Sequence, residues 1–87
     1  DNFNEAHLNF LVDWVVKKNV DDLPFAFRSI AYKNGTDILT ESQQYKLCCV
    51  LLDLQYRVYV VDDIVKDQSD SRITWGEPDE DVYWIDL

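Results

Sequence analysis

The apolar pattern of this chain changes period once, near Gln55, and that change limits the fold more than any other feature. Before it, apolar residues recur at three- and four-residue steps. After it, β-branched and aromatic residues gather in short runs bounded by turn-forming residues. Helices first and strands afterwards predict an α+β fold, with three amino-terminal helices packed on a carboxyl-terminal three-stranded antiparallel meander. A chain of 87 residues has room for one domain spanning residues 1–87.

In the first predicted helix Phe3, Ala6, Phe10, Leu11, Trp14 and Val15 form the apolar stripe, and Glu5, Asn9, Asp13 and Lys17 line the other side. Asn2 with Glu5 is its candidate cap, and Asn19 its stop. Asp22-Leu23-Pro24 reads as a second helix start, with the aspartate as cap and the proline where a missing amide hydrogen costs little. Phe25, Phe27, Ile30 and Ala31 would be its apolar positions, and Asn34-Gly35 its end. Thr40 with Gln43 forms a capping box for a third helix through Tyr45, Cys48, Cys49 and Leu52.

The predicted strands are Tyr56 to Val61, Arg72 to Trp75 and Val82 to Leu87, joined by turns at residues 67–70 and 76–79. Alternation puts Val58, Val60, Ile73, Trp75, Tyr83, Ile85 and Leu87 on the face toward the helices. Arg57, Tyr59, Arg72, Thr74, Trp84 and Asp86 fall on the other face, with Asp63 and Glu80 at its margins.

Charge supplies the functional signal. The formal net charge is −9, and its distribution is uneven. Residues 1–57 hold 8 acidic and 6 basic side chains, a net of −2, whereas residues 58–87 hold 9 acidic and 2 basic, a net of −7. Such self-repulsion opposes folding, and its concentration in one segment points to an interaction surface. Nucleic acid and anionic membrane, both polyanions, are disfavoured as direct partners. The longest apolar run, Leu47 to Leu52, falls far short of the roughly 18 residues that span a bilayer. The first residues lack the basic-then-apolar pattern of a secretory signal, and the absence of methionine leaves room for an upstream segment. Adjacent Cys48 and Cys49 would make a strained disulfide, so reduced thiols and a cytoplasmic location are expected.

The candidate partner-binding set is Tyr59, Asp62, Asp63, Asp67, Asp70, Glu77, Asp79, Glu80, Asp81, Trp84 and Asp86. Carboxylates at strand spacing, such as Asp79 and Asp81, would stand about 6.6 Å apart and match basic residues arrayed along a nucleic-acid track. Tyr59 and Trp84, with Trp75, would add the aromatic anchors that concentrate interface energy. No cofactor is expected. A calcium loop begun by Asp67, Ser69 and Ser71 fails because Arg72 stands at the glycine position and Pro78 at the closing one. His7 is the single histidine, and the two glycines cannot build a phosphate loop. Nucleophile, base and oxyanion stabiliser do not occur together, so no enzymatic activity is expected.

The chain looks like the small acidic inhibitors that occlude nucleic-acid-processing proteins. The first expectation is an immunity protein that neutralises a bacterial nuclease toxin by covering its basic active-site region, in a one-to-one or homodimer-based complex. A phage-encoded DNA mimic directed at a restriction or CRISPR effector is the alternative. An enzyme with an acidic divalent-metal site represents a different class.

Overall fold

The computed structural model describes residues 5–30, 42–62 and 66–85. Its elements run α1 (Glu5–Lys18), β1 (Phe25–Phe27), α2 (Gln43–Asp53), β2 (Val58–Val60), a short 3-10 turn (Lys66–Gln68), β3 (Thr74–Trp75) and β4 (Tyr83–Ile85). The strands form one sheet in the order β3-β2-β1-β4, and every pairing is parallel. This overturns the expected three helices on an antiparallel meander: among the described residues there are two α-helices and four parallel strands.

The decisive difference lies at Phe25-Ala26-Phe27, read from sequence as the start of a helix. These residues are instead the central strand, with all three buried. β2 pairs on one side and β4 on the other, so β1 is enclosed by two ladders. Phe25 donates its amide to the Arg57 carbonyl at 3.0 Å, and Tyr83 donates to the Pro24 carbonyl at 2.8 Å. A strand with neighbours on both edges and cover on both faces reads as a continuous apolar run, and three residues are too few to show a period. Ala31, Asn34 and Gly35 lie outside the described residues, as do Phe3, Thr40 and Leu87.

Both helices cover the face that carries Phe25, Phe27, Val58, Val60 and Ile85. These side chains share a core with Leu11 and Val15 of α1 and with Leu47, Cys48 and Leu51 of α2. Phe25 sits at its centre, edge-on to Tyr56 at 4.9 Å and to Tyr83 at 5.8 Å between ring centroids. Cys48 is a buried free thiol whose proton is held on above the ordinary range because burial penalises the thiolate.

The apolar stripe of α1 is turned relative to expectation. Leu11 and Val15 face inward with Leu8, Val12 and Val16, whereas Phe10 and Trp14 lie on the outside. The cap of α2 also differs, because Ser42 rather than Thr40 fills it: its hydroxyl accepts from the Tyr45 amide at 3.0 Å and donates to the Ile30 carbonyl. At the other end Gln55, with φ of 75°, takes the left-handed position after the helix. Its amide bonds the Leu52 carbonyl at 3.0 Å and that of Tyr56 the Leu51 carbonyl at 3.1 Å, closing a Schellman motif.

Among the described residues, no helix is long and apolar enough to cross a membrane.

Candidate functional site

The second face of the sheet carries Tyr59, Thr74, Ala26 and Trp84, which the parallel register sets side by side. Arg57 and Arg28 flank them by alternation along β2 and β1. The seven residues from Gly76 to Val82 connect β3, at one edge, to β4 at the other. Parallel strands ordinarily need a crossover of a dozen or more residues. Strands only two or three residues long shorten the return path, so an extended strap suffices.

This strap passes across the second face, which the bonds of Tyr59 locate. Its hydroxyl donates to a Glu80 carboxylate oxygen and lies 3.4 Å from an Asp79 oxygen. Arg57 reaches the same Glu80 oxygen at 3.4 Å. The bond to Glu80 favours the protonated phenol and raises the Tyr59 pKa. Tyr59 is only 4% exposed, while Glu80 and Asp79 remain open to solvent. Gly76 begins the strap at a φ of 102°, a conformation that glycine adopts without strain.

Between the strap and the α1–β1 connection lies an open depression of about 590 Å³. Leu23, Pro78, Val82 and Trp84 form its apolar lining; Asp21, Glu77, Glu80 and Asp81 supply four carboxylates, and none of these eight residues is basic. Trp84 is 37% exposed and stacks with the Arg28 guanidinium, 4.5 Å from the ring centroid. Glu80 has part of its charge answered by Arg57. Such a site suits an ammonium or guanidinium carried on an apolar stem.

The structure therefore brings together Tyr59, Glu77, Asp79, Glu80, Asp81 and Trp84 of the candidate set. Asp79 and Asp81 stand in the strap and not in a strand, so the strand repeat expected of them does not apply. Asp62, Asp67 and Asp70 do not line the depression. Asp62 follows the carboxyl end of β2, where its amide donates to the Arg28 carbonyl at 3.0 Å, and Asp67 is exposed in the 3-10 turn. Asp70 binds Arg72 through two side-chain contacts of 3.0 and 2.7 Å, and Arg72 also reaches Asp53 at 2.9 Å. These bonds depress the Asp70 pKa and turn Arg72 toward α2, away from the face assigned to it by alternation. Asp63 and Asp86 lie outside the described residues.

The sequence does not mark Asp21 and Leu23 as site residues, because Asp22-Leu23-Pro24 carries the pattern of a helix start. What positions them is Asn19, which is buried at the end of α1. Its side-chain oxygen accepts from the Leu23 amide at 2.8 Å and its nitrogen donates to the Leu23 carbonyl at 2.7 Å, folding the connection back on itself. Among the described residues, no three His, Cys, Asp or Glu side chains converge as metal ligands would.

A scan of protein-family models, a search of curated proteins and a search of solved structures return no match to this chain.

Proposed function

We propose that this chain is a stoichiometric protein inhibitor that works as an immunity protein does, docking its acidic strap over the basic active-site region of a bacterial nuclease toxin. The observation that carries the reading is the depression beside the strap, where Glu77, Glu80 and Asp81 stand with Asp21 around the indole of Trp84. Carboxylates give such a surface its association rate and its selectivity for a cationic groove, while a partly exposed aromatic supplies the desolvated anchor. A compact patch with an aromatic inside it supports this reading over a DNA mimic, which needs carboxylates spread evenly along an elongated face. A reducing, cytoplasmic location accords with the two free cysteines.

The test uses two variants with the same change in net charge, Asp81→Lys at the depression and Asp67→Lys in the 3-10 turn. Proteins retained from the native source at low salt are eluted by rising salt, identified, and assayed for nuclease activity with increasing amounts of the chain. The proposal expects a basic nuclease, inhibited fully at one equivalent, with affinity reduced about tenfold or more by Asp81→Lys and little changed by Asp67→Lys. Retention of an acidic partner, or equal losses from the two variants, would overturn it.

A further inference from the structure

The helix α1 has two apolar sides. Its inner side supplies Leu11 and Val15 to the core, yet Phe10 is 63% exposed and Trp14 45% exposed, one turn apart on the outer side. Val20, just past the helix, is 84% exposed. His7, Phe10, Trp14 and Lys17 follow the 3-4-3 spacing of a seam between two helices. A helix that is apolar beyond one stripe is ordinarily covered beyond one stripe.

Charge identifies the cover. The segment Glu5–Lys18 contains Glu5 and Asp13 against Lys17 and Lys18, so it has no formal net charge in a chain of net −9. It lies on the helical side of the sheet, whereas the acidic strap crosses the other. A second acidic chain meets less repulsion here than over the strap. Asp13 and Lys17 pair within the chain at 3.0 Å, with both side chains largely in solvent.

We infer that the outer side of α1 is a self-association surface whose occupant is the α1 of a second copy, set antiparallel about a two-fold axis. That axis crosses the outer side at the height of residue 15, whose own side chain points into the core. In that register each Asp13 is level with Lys17 of the other copy, and the two Trp14 side chains flank the axis. Phe10 comes level with the other copy's Val20. The helix dipoles oppose one another, which is favourable. The contact is isologous, so it closes at two chains and leaves both straps on the outside. Two exposed aromatics per chain make a small seam beside the roughly 800 Å² per partner of a standard interface, so a weak, reversible dimer is expected, dissociating at roughly micromolar to millimolar concentration.

The experiment is sedimentation equilibrium of the full chain across that concentration range. The average mass is expected to rise from one chain to two and to stop there. Trp14→Ser should weaken association about tenfold or more, with helical circular dichroism unchanged because the residue is exposed. Asp13→Lys and Lys17→Asp should each self-associate less than the parent, since each sets like charges level across the axis. An equimolar mixture of those two variants should recover the two-chain mass. Neither variant retains the internal Asp13–Lys17 pair, so recovery on mixing reads the contact between chains. A one-chain mass throughout, growth beyond two chains, or a dimer indifferent to these changes would overturn the inference.

Discussion

Replacing Asn19 by alanine removes the clamp that joins α1 to the central strand, and its cost follows from the two bonds to Leu23. Those bonds, 2.7 and 2.8 Å long, are worth about 1 kcal/mol each net of hydration. Their loss also leaves the Leu23 amide and carbonyl without the partner they have now. Full burial would add roughly 1 to 3 kcal/mol for each orphaned group, but Leu23 is half-buried and water recovers part of this. The expected destabilisation is therefore about 2 to 4 kcal/mol. Against a total stability of roughly 4 to 13 kcal/mol for a chain of this length, that loss is severe. Urea unfolding followed by tryptophan fluorescence measures it directly; with a slope of about 1 kcal/mol per molar, the midpoint should fall by roughly 2 to 4 M. Asn19→Asp should be worse at neutral pH than in mild acid, because its carboxylate would face the Leu23 carbonyl until protonated. An Asn19→Ala midpoint within about 0.5 M of the parent would refute the clamp, since a slope near 1 kcal/mol per molar leaves no room for two lost bonds.

Gln55→Gly should stabilise the fold by about 0.5 to 1 kcal/mol in thermal or urea unfolding, because relief of the left-handed strain at φ 75° exceeds the added freedom of the unfolded chain. Tyr59→Phe should speed amide hydrogen exchange in residues 79–82 relative to the rest of the molecule, since the strap loses its bond to Glu80. The folded pKa of Tyr59 is raised above 10.0, so the stabilisation linked to its proton is fully present below about pH 10 and disappears as pH climbs through the raised value. Asp70 gives the opposite sign, its folded pKa lying below 3.8. Asp70→Asn should be less stable than the parent at pH 7, with the difference closing as pH falls below that value in acid-unfolding curves.

Alternation along the strands was legible because burial repeats every two residues whichever way a neighbour runs. Val58 and Val60 do face the helices, and Tyr59 and Trp84 do face away with Arg57. The strap was harder to read. Gly76 with Pro78 carries the signature of a tight turn over residues 76–79 that leads to a strand from Val82; the place of Asp79 and Glu80 beside Tyr59 follows only once β4 pairs with β1 instead of β3. Arg72 shows the same limit, since its neighbour in sequence, Asp70, and the distant Asp53 together outweigh the strand alternation around it.

Sequence by itself determined the local matters: a helix ending at Asn19, a helix through the Leu47–Leu52 run, short strands at three places beyond Gln55, and a surplus of carboxylates near the carboxyl end. These depend on side-chain period, capping chemistry and charge, which neighbours along the chain supply. Tertiary structure decided that Phe25-Ala26-Phe27 is a strand, that the four described strands run parallel, and that the acidic connection crosses a sheet. Strand direction leaves no mark on a two-residue alternation, and a three-residue strand has no period of its own. What made Phe25-Ala26-Phe27 a strand was the presence of β2 and β4 on either side to take its backbone hydrogen bonds, and those partners are distant in sequence.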